Sequence, residues 1–157
     1  MDSLEIIVSI RKIVRSLNLE SKGIQKEFGL SITQLLCLGH LQKSPNYQSN
    51  HKELMNLLSL NSSTVTGIIN RLEKRGYVVR LPKQGDKRVT SITLTASGIK
   101  LLEETPNVLH DRLAKKLDNL TDDNRLMIKN ALEIITSAMQ IHKLDASPLL
   151  TPEEPID

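Results

Sequence analysis

Aromatic side chains are nearly missing from this 157-residue chain: Phe28, Tyr47 and Tyr77 are the whole set, and there is no tryptophan. The core must therefore be aliphatic, drawn from Leu, Ile and Val. Single-strand nucleic-acid binding, which stacks bases on aromatic rings, loses its usual platform. Cysteine is equally scarce. With Cys37 alone, an intrachain disulfide and a cysteine-based metal cluster are both excluded. Its setting in Leu35-Leu36-Cys37-Leu38 marks it as a small buried hydrophobe rather than a redox sensor. His40, His51, His110 and His142 lie far apart and show no His-x-x-x-His spacing, so no metal is expected. No segment approaches the roughly 18 apolar residues of a membrane helix. Arg11, Lys12 and Arg15 interrupt the stretch from Ile6 to Val14, which removes a secretory leader and makes a cytoplasmic setting the expectation. Gly-rich phosphate loops and a G-x-S-x-G elbow are also lacking. The neighbouring acids Glu103-Glu104 and Asp122-Asp123 point to different sides of a helix and make no catalytic pair. Neither an enzyme nor a cofactor is expected.

What is present is charge, unevenly placed. The chain carries a net +3, but residues 71–90 hold seven basic side chains against two acidic ones, a local +5. Such a concentration is an electrostatic footprint for phosphates. Residues 145–157 hold four acids, no base and three prolines, which reads as an extended acidic tail.

Apolar periodicity supplies the framework. Ile6, Ile7, Ile10, Ile13, Val14 and Leu17 recur at helical spacing, and the helix continues to Phe28, with Gly29 as its stop. Ser31 and Gln34 form a capping box for a second helix that ends before Ser44-Pro45-Asn46. A short helix from His51 to Leu58 follows. After a turn at Ser59-Leu60, Asn61 caps a further helix with Val65, Ile68, Ile69 and Leu72 as its apolar stripe. Beyond Gly76 the period falls from 3.6 to 2. Tyr77–Leu81 and Val89–Leu94 read as strands, joined by the polar connection from Pro82 to Lys87. Thr95 caps a helix to about Leu117, interrupted or bent near Pro106, and Thr121 opens a last one. The fold class is mainly α with a small two-stranded β wing. Residues 31–95 form a winged helix-turn-helix lobe, and residues 1–30 and 96–144 supply long dimerisation helices.

Two short helices, a tight turn and a basic hairpin suit duplex DNA. A helix fits the major groove, where each base pair shows its own pattern of donors and acceptors. Residues entering first must be small and polar, as Ser62, Ser63, Thr64, Thr66 and Gly67 are. Asn70, Arg71 and Lys74 lie a turn or more later, in reach of bases or phosphates. Lys83, Asp86, Lys87 and Arg88 belong to the wing, with Arg88 suited to the negative minor groove. Taken singly, hydroxyls near a helix start can be caps and Arg88 a solvated turn residue. Their order beside the +5 patch favours DNA. A winged-helix adaptor or antirepressor that binds protein is the rival reading, against which the basic wing speaks.

These segments resemble the MarR family of transcriptional regulators along nearly the whole chain. The similarity rests on Leu30-Ser31-Ile32-Thr33-Gln34-Leu35-Leu36, on residues 63–78 from Ser63-Thr64-Val65 to Gly76-Tyr77-Val78, and on Asp86-Lys87-Arg88 followed by Leu94-Thr95-Ala96-Ser97-Gly98. The resemblance implies a homodimeric repressor on a pseudo-palindromic operator. Asp86 would orient Arg88 into the minor groove, and the recognition-helix contacts fall on Ser62, Ser63, Thr64, Thr66, Gly67, Asn70 and Arg71. It also implies a small-molecule effector of unknown identity, for which so few aromatics build a poor cage. The loop from Ser44 to Asn50 is longer than the family's. Arg11-Lys12-Ile13-Val14-Arg15, Ser21-Lys22 and residues 145–150 resemble a proteobacterial subgroup that includes regulators of ectoine (osmolyte) synthesis genes.

Overall fold

The computed structural model describes residues 2–83, 86–105 and 109–141, with the side chains of residues 83, 86–89 and 109–110 outside that description. Gln84, Gly85, Pro106, His142 and the acidic tail therefore lie outside the described residues, as do the side chains of Lys83, Asp86, Lys87, Arg88 and His110. The chain divides into two compact units between residues 106 and 107.

The first unit begins with α1 (Ser3–Phe28), a 26-residue helix capped by the Asp2 carboxylate and closed by Gly29 at φ +63°. A left-handed residue there costs glycine little, and its N–H reaches the Gln25 carbonyl at 2.9 Å. Next, α2 (Ile32–Lys43) starts on the capping box read from the sequence. The Ser31 Oγ accepts the Gln34 N–H at 3.2 Å, and Gln34 Oε1 accepts the Ser31 N–H at 2.8 Å. α3 (His51–Leu58) and α4 (Ser62–Lys74) follow, capped by Asn50 and Asn61 and separated by Ser59 in a left-handed conformation. β2 (Val78–Lys83) and β3 (Asp86–Leu94) form the hairpin, and α5 (Ala96–Glu104) leaves it from the Thr95 cap.

The sheet differs from the sequence reading. It has three strands in the order β1-β3-β2, because β1 (Gln48–Asn50) joins β3 in antiparallel register with Ser49 opposite Ile92. The long Ser44–Asn50 loop is thus a 3-10 turn (Pro45–Tyr47) followed by this strand, with Asn46 and Tyr47 both at φ 56°. The hairpin strands are also longer than expected. Pro82 and Lys83 belong to β2, while Asp86, Lys87 and Arg88 belong to β3. Pro82 sits opposite Thr90 on an edge strand, the place in a sheet where proline is tolerated.

The core of this unit is aliphatic throughout. Leu38 and Leu41 of α2, Leu54 of α3, Val65, Ile68, Ile69 and Leu72 of α4, and Val78 and Ile92 of the sheet are essentially inaccessible. Each such side chain stabilises the fold by about 1.5–3 kcal/mol relative to exposure. Cys37 is buried among them, and loss of solvation pushes its thiol from the ordinary 9.0 up to about 12. It is a packing residue.

The second unit holds α6 (Leu109–Asp118) and α7 (Asp122–Ala138). Thr121 caps α7 by accepting the Asn124 N–H at 3.3 Å, and an Asp122–Arg125 pair supports its first turn. None of the α7 side chains is buried; Leu126, Met127, Leu132 and Ile134 are all more than half exposed.

Two expectations follow from this packing. A Cβ on Gly98 would lie 2.5 Å from the Tyr77 carbonyl oxygen and 2.6 Å from Leu94 Cδ1, whereas one on Gly39 meets nothing within 4 Å. Gly98→Ala should therefore destabilise by about 1–3 kcal/mol despite its helical propensity, and Gly39→Ala should stabilise by up to about 1 kcal/mol, both read by denaturant titration. For Cys37, burial favours the neutral thiol, so the unfolded chain ionises first. Stability should fall between pH 9 and about 12, by about 1.4 kcal/mol per pH unit beyond the slope of Cys37→Ala. Equal slopes for the two proteins would contradict this.

Candidate nucleic-acid interface

The helix pair α3–α4 and the hairpin β2–β3 bring together the residues singled out in the sequence. Ser62, Ser63, Thr66, Asn70 and Lys74 are exposed on α4, while Thr64, Gly67 and Arg71 are half-buried. The buried stripe of Val65, Ile68, Ile69 and Leu72 fixes this orientation by holding the opposite face in the core.

Several of these polar groups are already engaged. Asn61 Oδ1 accepts from the Thr64 N–H at 2.9 Å and from the Ser63 hydroxyl at 2.7 Å, so Ser63 helps cap the helix it opens. The Thr66 hydroxyl donates to the Ser62 carbonyl at 2.9 Å and lies 3.0 Å from His51 Nε2. With its proton given to that carbonyl, Thr66 Oγ1 accepts, and His51 must carry its proton on Nε2. His51 thus joins the exposed surface of α4 from the start of α3. No sequence spacing pointed to it. The Arg71 guanidinium folds back over Gly67, 3.7 Å from where a Cβ would stand. A Cβ at Gly67 would thus meet Arg71 at ordinary van der Waals distance.

The wing is fastened to α4 by Arg80. Its guanidinium pairs with the Glu73 carboxylate and donates to Asn70 Oδ1 at 2.6 Å, while its backbone N–H reaches Glu73 Oε1 at 3.2 Å. Asn70 consequently keeps its amide N–H groups and one lone pair of Oδ1 for a ligand. Arg80 counted toward the basic patch in the sequence, yet it serves as a brace. Arg75 is committed likewise, donating to the Gly29 and Phe28 carbonyls. Lys74 remains exposed. At the wing tip, Lys83 and Asp86 stand opposite one another in the strand register.

A second brace holds the base of the sheet. The buried Ser49 of β1 donates to Glu53 Oε2 at 2.7 Å and sits 3.3 Å from His40 Nε2. The Ser49 hydroxyl, aided by Asn50 and the nearby His40, holds the Glu53 carboxyl below its ordinary value against the opposing effect of burial. Among the described residues no cluster of His, Cys, Asp and Glu could hold a metal ion, and no helix is long and apolar enough to cross a membrane.

The pair α3–α4 followed by an antiparallel hairpin braced against α4 defines a winged helix-turn-helix. Residues 30–90 match the model of the MarR family. The regulator SarZ of Staphylococcus haemolyticus is 32% identical over 88 residues, which span 56% of this chain and 59% of SarZ. The repressor YetL of Bacillus subtilis is 25% identical over 141 residues, 90% of this chain and 84% of YetL. The chain spans about three-fifths or less of the first curated relatives that it matches. Among solved structures, Sco3205 of Streptomyces coelicolor, a MarR family regulator in complex with DNA, superposes with a TM-score of 0.63 at 23% identity, covering 96% of this chain and 97% of that one. That likeness is one of fold.

The brace can be tested directly. A double-mutant cycle on Glu73→Gln and Arg80→Met should give a coupling of about 0.5–1 kcal/mol that shrinks as salt rises. Additive effects at low salt would remove the brace from this account.

Proposed function

We propose that the chain is a transcriptional repressor of the MarR type, binding a pseudo-palindromic duplex operator as a homodimer. The observation that carries this reading is the exposed row Ser62, Ser63, Thr66 and Asn70 on a helix braced through Arg80 to the wing strand. A preorganised row of small polar groups suits the major groove, and the basic residues of the hairpin suit phosphates and the flanking minor groove. In this reading Arg88 enters the minor groove, oriented by Asp86, and Lys74, Lys83 and Lys87 meet the backbone. Asn70, its oxygen already bonded to Arg80, donates to a base acceptor or phosphate.

The dimer reading draws on apolar surface that a single chain leaves open. Leu4, Ile7, Ile13 and Leu19 on α1 and Met127, Leu132 and Ile134 on α7 are each about half exposed or more. An open groove of about 720 Å³ runs along α1, between Val8, Val14 and Leu19 and the basic Arg11, Arg15 and Lys22. Residues 1–30 and 96–144 are the dimerisation segments of this reading. It also includes a small-molecule effector, which acts by favouring one spacing of the two recognition helices over another.

The test is a shift assay on genomic fragments at two salt concentrations, with fragments upstream of osmolyte synthesis genes as the first probes. Affinity should fall steeply with salt. Arg88→Ala should lose about 1–3 kcal/mol per groove contact. Protected half-sites should lie about one helical turn apart, and sedimentation should show twice the chain mass. A lone species near 17.6 kDa removes the dimer, and salt-insensitive binding favours a protein-binding adaptor instead.

A further inference from the structure

Resting on that dimeric reading, we infer that Arg75 is the positioning residue that sets the angle of the recognition helix against the dimerisation helix. α1 is attached to its lobe thinly. Of its 26 residues, Ser21 and Ile24 alone are buried. At its C-terminus, however, a guanidinium joins it to the end of α4: Arg75 Nη1 donates to the Gly29 carbonyl at 2.6 Å and Nη2 to the Phe28 carbonyl at 3.2 Å. Carbonyls at a helix end lack intrahelical donors and carry the negative end of the helix dipole, so a cation is favoured there. One rigid fork across two successive carbonyls fixes direction as well as distance, which an ammonium cannot do.

The fork itself is held firm. Arg75 occupies the C-cap of α4 in helical geometry, with its N–H on the Arg71 carbonyl at 3.2 Å. The chain then turns through Gly76 at φ +76°, which places the Tyr77 ring beneath the guanidinium, 5.3 Å from carbon to centroid. On the α1 side, Gly29 is left-handed, and a Cβ there would stand 3.3 Å from Arg75 Nη1. Both partners are therefore tailored to the contact. Beyond Gly29 the chain passes into the fully buried Leu30, so a shift of the α1 end reaches the core without slack. In a dimer built on α1, the angle fixed by Arg75 becomes the separation of two recognition helices.

The experiment places a spin label at Ser63→Cys in the full chain and measures the distance distribution across the dimer by double electron–electron resonance, without DNA. Arg75→Ala should broaden that distribution at least about twofold, and Arg75→Lys should fall between the two, while the melting temperature changes little. The unlabelled proteins, with Ser63 intact, are then titrated with a duplex recovered by the parent and with versions whose half-sites are moved by one or two base pairs. The parent should prefer its own spacing by about tenfold or more, and Arg75→Ala should bind all spacings within about threefold. Arg75→Ala retaining the parent's distance width and spacing profile overturns the inference. So does an Arg75→Lys variant indistinguishable from the parent. A missing dipolar signal in the parent instead removes the dimer, and a parent without salt-sensitive duplex binding removes the DNA reading.

Discussion

The left-handed turn at Gly76, φ +76°, is the point on which the lobe depends. It closes α4 with a pair of bonds, Gly76 N–H to the Glu73 carbonyl at 2.9 Å and Tyr77 N–H to the Leu72 carbonyl at 3.0 Å. The same turn presents two carbonyls outward. That of Gly76 accepts the Thr95 hydroxyl at 2.6 Å, and that of Tyr77 accepts the Thr95 N–H at 3.0 Å. Thr95 in turn caps α5 by accepting the Gly98 N–H at 3.1 Å, and Gly98 must lack a side chain because Tyr77 lies directly against it. The exit of the recognition helix, the return of the wing and the start of the next helix are thus one hydrogen-bonded unit. Arg75 adds the end of α1 to it.

This convergence changes how the basic patch is understood. Counted along the chain, residues 71–90 carry +5. In three dimensions Arg75 is spent on helix carbonyls and Arg80 on Glu73 and Asn70. These contacts are partly open to water, so each contributes modestly to stability. Their effect is geometric: they decide where the uncommitted groups stand. Among the described side chains, Lys74 stands exposed at the end of α4, while the start of α4 is neutral and rich in hydroxyls.

Local signals were legible in the sequence and distant ones were not. The caps at Ser31, Asn61, Thr95 and Thr121, the stop at Gly29 and the apolar stripe of α4 each depend on residues within one or two turns, so spacing alone reveals them. β1 escaped because Gln48-Ser49-Asn50 is short and polar. It becomes a strand through pairing with residues 91–93, more than forty positions away. The hairpin was read as shorter than it is because Pro82 and the charged residues beside it mimic a loop. At the site, the sequence named the exposed row of α4 but not its supports. Arg80 and Arg75 enter the sequence reading only as two of the seven basic residues of the 71–90 patch, since a charge count shows sign and not partner. His51 carried no motif at all, and its place beside Thr66 comes from the crossing of α3 and α4.

The distribution of apolar and directional contacts explains why such supports are needed. Packing of Val65, Ile68, Ile69 and Leu72 holds α4 in its lobe strongly, but aliphatic contact is non-directional and resists separation better than rotation. A core with three aromatic residues in the whole chain also lacks the large flat side chains that lock rotation by shape. Hydrogen bonds vary steeply with angle. A guanidinium with two acceptors therefore supplies the orientation that the aliphatic core leaves weakly determined. Both arginines that do so lie between the C-cap of α4 and the middle of β2. The lobe gains its stability from the interior and its alignment from charged side chains at the rim.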